Sequence, residues 1–179
     1  WDLPLPPSTP EGYPLTIPPG HYLESFLVFT PHRNSLPDEL FVNYKGNGRL
    51  EYLGGAELVK RESGRDILRD LKNGGPIIAR LMSTSADDPI RDITVTYPGA
   101  PEGEIFRPEF LDRLSGVSVL RFMDWMDTNN SPIATWDQRP RLERYTQSEG
   151  GVALELMVAL ANRASIAPWF TLPHKADDD

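Results

Sequence analysis

The 179-residue chain has a net charge of −8, with 39% hydrophobic and 25% charged residues. This composition supports a packed core, and its acidity argues against binding to nucleic-acid backbone or to anionic membranes, which both require a basic face. Cysteine is absent, which excludes disulfides, thiolate metal sites and cysteine nucleophiles.

Residues 1–20 are rich in proline and hold seven of the 18 prolines of the chain. Because proline lacks an amide donor and fixes φ, this segment is predicted to be an extended arm without regular structure that lies along a surface. The chain begins with Trp1 rather than methionine, which indicates that a signal peptide or a longer N-terminal region has been removed.

Residues 21–89 consist of short apolar runs separated by turns rich in glycine and asparagine. Such runs predict a jelly-roll-like β-sandwich. Residues 66–71 are also compatible with a helical turn, because Ile67, Leu68 and Leu71 share a helical face. The predicted strands are 22–29, 40–44, 49–53, 56–60, 66–71 and 76–83.

Residues 90–179 show a different pattern, in which strands alternate with helices. We predict strands at 90–97, 117–123 and 167–172, with one helix beginning at Pro108 and a second at 152–164. Alternation of this kind predicts a parallel sheet and the first β/α units of a TIM barrel. A complete barrel needs about 250 residues. We therefore expect the barrel to be completed by downstream sequence or by a second chain.

Two segments combine an apolar run with a polar or aromatic cluster: Arg121-Phe-Met-Asp-Trp-Met-Asp-Thr-Asn-Asn130 and Pro168-Trp-Phe-Thr-Leu-Pro-His174. Clusters at the carboxyl ends of consecutive parallel strands form the active sites of (β/α) barrels. A tryptophan can stack on the apolar face of a sugar ring, while arginine, carboxylate, amide and imidazole groups can bind its hydroxyls. The candidate substrate-binding residues are therefore Arg121, Asp124, Trp125, Asn129, Asn130 and His174.

Each of these candidates also has a structural interpretation. Arg121 can form a buried ion pair with Asp124 or Asp127, Trp125 can be a core residue, and asparagines often build turns. A metal site at His174 and Asp177-Asp-Asp179 is not expected, since three consecutive carboxylates cannot converge on one ion.

The same segments, with Gly151-Val-Ala-Leu-Glu155 and Ala159-Leu-Ala-Asn162, resemble the start of a bacterial, exported, clan-A-type glycoside hydrolase, a cellulase-like family often described only as carbohydrate-binding. The resemblance covers roughly residues 92–179, and residues 21–89 look like the accessory sandwich that precedes such barrels. It implies a secreted or periplasmic protein that acts on a polysaccharide or oligosaccharide, with Arg121 ending the second strand and His174 near the end of the third.

In the family, the two catalytic glutamates of a retaining mechanism lie on the fourth and seventh strands, and both would fall beyond this chain. The resemblance therefore implies no catalytic residue in this chain, no cofactor, a carbohydrate partner and a second chain or C-terminal fragment. Two alternatives remain open. One is a non-catalytic carbohydrate-binding module that uses exposed aromatics such as Tyr44 and Tyr52, and the other is a structural or adhesive exported protein.

Overall fold

The structure is a computed structural model that describes residues 4–29, 37–72, 75–129 and 131–177. It divides into two compact units, residues 1–101 (the first unit) and 102–179 (the second unit). Within the described ranges, no helix has both the length and the apolar character needed to cross a membrane.

The first unit contains two antiparallel sheets, one with strand order β1-β6-β3 and one with strand order β4-β5-β2-β7. The inner faces of both sheets share one hydrophobic core, as in a β-sandwich. Its most deeply buried members include Leu40, Val42, Leu50, Leu68 and Ile77. The strands are β1 (Leu23–Val28), β2 (Glu39–Lys45), β3 (Gly48–Gly54), β4 (Ala56–Glu62), β5 (Arg65–Asp70), β6 (Ile77–Thr84) and β7 (Arg91–Thr96).

The six strands predicted before residue 89 are confirmed, and residues 66–71 form a strand rather than a helical turn. An eight-stranded jelly roll is not formed by the part of the chain that the structure describes, since its two main sheets have three and four strands. The proline-rich arm contains a hairpin-like bridge between Ser8 and Pro14. Its Ile17 side chain packs against the sandwich core.

The predicted start of a TIM barrel is wrong. Residues 90–97 do contain a strand, β7, but this strand pairs antiparallel with β2 and belongs to the sandwich. Ile93, Val95 and Tyr97 alternate along this strand, and such alternation is typical of an antiparallel strand rather than of a strand covered by helices on both faces. A barrel strand covered by helices would show a near-continuous apolar run.

The second unit contains one β-α-β motif. Strands β8 (Val119–Arg121) and β9 (Ala167–Trp169) pair in parallel, and helix α2 (Leu154–Ala164) connects them. A shorter helix, α1 (Pro108–Arg113), precedes β8, and a 3₁₀ turn at Trp136–Gln138 interrupts the long connection after it. All three residues of β9 are exposed, as are Val119 and Arg121 of β8, so neither strand is buried on both faces as a barrel strand would be.

The core of the second unit forms where α2 packs against Phe122, the residue that follows β8. Phe122, Met157 and Leu160 are almost fully buried, and Trp125 and Phe170 pack against them. The helix presents Met157, Leu160 and Ala161 on one side, at the spacing of an amphipathic helix. This packing fixes the segments that leave the carboxyl ends of β8 and β9.

Candidate functional site

The last residues of the two parallel strands lie side by side. Arg121 ends β8 and Trp169 ends β9, and the parallel register pairs them directly. The Arg121 guanidinium carbon lies 5.2 Å from the centroid of the Trp169 ring, a cation–π contact. Trp169 remains 56% exposed, so the arginine contacts the ring and leaves more than half of the side chain accessible. An exposed, oriented indole therefore stands at the edge where both strands end.

The segments that follow the two strands also run alongside each other. The Phe122 amide donates to the Trp169 carbonyl at 3.0 Å. The Thr128 hydroxyl donates to the Thr171 carbonyl at 3.1 Å. These contacts keep residues 122–129 next to residues 169–172. We use the name carboxyl-end site for four exposed side chains of these strand ends and segments: Arg121, Asp124, Asn129 and Trp169.

The sequence-predicted candidates are distributed unevenly around this site. Arg121, Asp124, Asn129 and His174 are exposed, and Asn130 lies outside the described residues. Among residues that the structure describes, no ion pair joins Arg121 to Asp124 or to Asp127, which is the structural alternative considered above. Instead, an Nη of Arg121 lies 3.0 Å from the Met123 sulfur.

Trp125 occupies a different environment from the other candidates. Its ring centroid is 5.7 Å from that of Phe122, and the side chain packs against the second core. Its carbonyl accepts a hydrogen bond from the Val152 amide at 2.7 Å, which ties the segment after β8 to the start of α2. The structure thus places the aromatic group of this site at Trp169, one strand away from Trp125.

A cavity of about 550 Å³ lies next to the carboxyl-end site, between the segments after the strands and the first turns of α2. Its lining is mostly apolar and includes Met126, Leu154, Met157, Phe170 and Leu172. Trp136 also lines it, 55% exposed, with the Arg139 guanidinium carbon 3.9 Å from its ring centroid. The second unit therefore presents two exposed tryptophans, each held by an arginine.

The first unit has exposed aromatic side chains that differ from those expected. The prediction that Tyr44 and Tyr52 are exposed is wrong, because both are partly buried against the sandwich core. Their hydroxyls donate to the buried Asp66 carboxylate at 3.3 Å and 2.8 Å, respectively. These hydrogen bonds satisfy a carboxylate that has no access to water. Phe26 and Phe29, which the sequence reasoning did not select, are 63% and 78% exposed.

Trp169 lies within Pro168–His174, one of the two segments that combine an apolar run with an aromatic cluster, so the sequence did carry a signal for it. Trp136 and Arg139 carried no such signal, because their three-residue spacing inside a polar loop matches no motif. Within the described parts of the chain, no group of three or more histidine, aspartate or glutamate side chains is placed to hold a metal ion.

Comparison of the chain with protein-family models, with curated proteins and with solved structures yields no match.

Proposed function

We propose that the second unit binds a neutral glycan at the carboxyl-end site, with one sugar ring stacked on Trp169. The observation that carries this proposal is the exposed Trp169 indole, oriented by Arg121 at the shared edge of two parallel strands. Ligands of open α/β sheets commonly bind outside the carboxyl ends of the strands. Trp169 lies at this edge.

The chemistry of the surrounding groups suits a polyhydroxylated ligand. An indole presents a large apolar face to the apolar face of a pyranose. The exposed Asp124 carboxylate and the Asn129 amide supply directional acceptors and donors for hydroxyl groups. Because Arg121 already holds the ring, little conformational freedom of Trp169 is lost when a sugar binds.

The charge of the protein favours a neutral ligand over an anionic one. The net charge of −8 repels polyanions such as nucleic acids or sulfated glycans at low ionic strength. A neutral polysaccharide or oligosaccharide experiences no such repulsion.

Affinity electrophoresis of the full chain through gels that contain neutral polysaccharides tests this proposal. Trp169→Ala should weaken retardation. Its apparent Kd should be at least about fivefold higher than that of the wild type, equivalent to ~1 kcal/mol of lost stacking. Trp136→Ala is the matched control, because Trp136 has nearly the same exposure and its own arginine contact. Equal retardation of wild type and Trp169→Ala would overturn the proposal.

The finer part of the proposal is that this site serves an exported glycoside hydrolase that acts on a polysaccharide or oligosaccharide. It rests on the sequence resemblance of residues 92–179 alone, because the barrel start that this resemblance implied is not formed by the described residues. It places the catalytic glutamates outside this chain. Release of reducing ends should be absent with this chain alone, even on a polysaccharide that it binds. Release of reducing ends by the purified chain would contradict this assignment.

A further inference from the structure

The outer face of the three-stranded sheet in the first unit carries a second group of aromatic and charged side chains. Because side chains alternate along a strand, Glu24 and Phe26 of β1 point to the same side. Their antiparallel partners on β6 are Arg80 and Ile78. Ala79, which lies between Ile78 and Arg80 on β6, is buried in the core. Ile78 and Arg80 therefore face away from the core.

The aromatic part of this surface is strongly exposed. The ring centroids of Phe26 and Phe29 are 5.6 Å apart with an interplanar angle of 54°, and both side chains are more than half exposed. Tyr22 lies beyond Glu24 on the same side and is 39% exposed. Neighbouring exposed aromatic groups on a sheet face commonly mark an interaction site.

The charged part of this surface is internally balanced. Arg80 donates from Nε to the Glu24 carboxylate, and its guanidinium carbon lies 4.2 Å from the centroid of the Tyr22 ring. Glu51 is the β3 partner of Arg80 and pairs with Arg49 at 2.7 Å. Since each charge has an opposite charge beside it, this surface does not select a charged ligand. We call Tyr22, Glu24, Phe26, Phe29, Glu51 and Arg80 together the aromatic face.

We propose that the aromatic face is a second glycan-binding surface, separate from the carboxyl-end site but suited to the same class of ligand as the proposed function. Phe26 and Phe29 stack on the apolar faces of sugar rings. The Glu24 and Glu51 carboxylates and the Arg80 guanidinium bind the hydroxyls around those rings. Ion pairing on a sheet holds these groups in place before the ligand arrives.

A protein partner or a second copy of this chain fits the aromatic face less well. A stable protein interface buries about 800 Å² on each partner. Two phenylalanine side chains supply at most roughly 500 Å². Three of the other four residues of the face are charged, whereas the centre of a protein interface is depleted of charged residues. Alternating rings and paired charges match a polyhydroxylated chain instead.

The test uses the full chain and compares Phe26→Ala, Trp169→Ala and the double variant by affinity electrophoresis on the same neutral polysaccharides. Phe26→Ala should raise the apparent Kd by about fivefold or more. Phe41→Ala is the control, because Phe41 lies on the other sheet with the Arg65 guanidinium carbon 5.0 Å from its ring centroid. It should change the apparent Kd by less than about twofold. Circular dichroism of each variant checks that the fold is retained.

The outcomes separate the two proposals. Loss of binding in Trp169→Ala with none in Phe26→Ala overturns the aromatic face and leaves the carboxyl-end site standing. Loss in Phe26→Ala alone supports the aromatic face and overturns the carboxyl-end site. Unchanged binding in both variants, or no retardation of the wild type on any neutral polysaccharide, overturns both. Concentration-dependent dimerisation of the wild type that Phe26→Ala abolishes assigns the face to a second copy and overturns the glycan proposal.

Discussion

Arg61 and Asp66 lie opposite each other on β4 and β5 and form a two-point ion pair, in which Nε and Nη2 donate to the two carboxylate oxygens, each at 3.0 Å. Asp66 is completely buried, and the hydroxyls of Tyr52 and Tyr44 supply one further donor to each oxygen. Because Tyr52 lies on β3 and Asp66 on β5, this group of four side chains links the two sheets of the sandwich.

Asp66→Asn is expected to destabilise the first unit by about 3 kcal/mol, because it leaves the Arg61 charge without its partner and places an amide NH₂ against other donors. Urea unfolding followed by circular dichroism measures this change. Asp92→Asn is the matched control, since Asp92 forms an exposed ion pair with Lys45 at 2.9 Å. The control should cost less than about 1 kcal/mol. Similar losses in the two variants would contradict a central role for Asp66.

The stability of the first unit should fall at alkaline pH. Burial and the hydrogen bond to Asp66 raise the pKa of Tyr52 well above its usual value, and burial raises the pKa of Tyr44 in the same way. An unfolded tyrosine loses its proton near pH 10, whereas these folded tyrosines retain theirs. Their contribution is therefore fully present below about pH 10 and is lost as the pH rises above it.

Tyr52→Phe should remove part of this pH dependence. At pH 7 the variant should be less stable than the wild type by about 1 kcal/mol, because one donor to the Asp66 carboxylate is missing. As the pH rises from 9 to 11, the wild type should lose stability faster, so the two free energies of unfolding should converge. Parallel curves in urea titrations across that range would show that Tyr52 does not carry the effect.

Trp125→Ala should reduce stability rather than glycan affinity. The side chain packs against Phe122 and the second core, so its removal is expected to cost about 3 kcal/mol. Trp169→Ala removes an exposed ring and should change stability by less than about 0.5 kcal/mol. Thermal unfolding of both variants, combined with gel retardation below their unfolding temperatures, measures the difference. Intact stability in Trp125→Ala would contradict its packing against the core.

Gly151→Ala should destabilise the second unit more than Gly116→Ala does. Both glycines have positive φ, +100° and +85°, where an added Cβ is strained. A Cβ at Gly151 would lie 2.9 Å from the Trp125 carbonyl oxygen, whereas one at Gly116 would meet nothing within 4 Å. The difference in the free energy of unfolding should be about 2 kcal/mol. Tryptophan fluorescence is a suitable probe, and equal effects would contradict the close approach.

Local patterns in the sequence predicted the individual elements well, because strand alternation and the helical spacing of Met157 and Leu160 depend only on residues that are close together in the chain. The arrangement of those elements was less accessible. The pairing of β7 with β2 depends on contacts about fifty residues apart along the chain. The alternation of Ile93, Val95 and Tyr97 favoured such an antiparallel partner, but the helix that follows at Pro108 favoured a β/α unit.

The environments of single side chains were the hardest to predict. One interpretation of Arg121 was a buried ion pair, yet β8 is only three residues long, pairs with β9 alone in the described structure and leaves the arginine exposed. Asp66 shows the opposite case, since an aspartate in a strand gives no sign that donors on three other strands will surround it. Trp125 and Trp169 are both tryptophans near a strand end, and only the packing of Phe122 and α2 decides which of them is exposed.

The most direct test of glycan binding at the carboxyl-end site is a ¹H–¹⁵N correlation spectrum of the full chain, titrated with an oligosaccharide from a polysaccharide that retards it. The chain has four tryptophans, so each indole N–H gives its own signal, assigned by substitution. We predict that the Trp169 signal shifts with saturation while the Trp125 and Trp136 signals change little. A saturable titration that leaves the Trp169 signal in place, or that shifts Trp136 instead, would contradict the account.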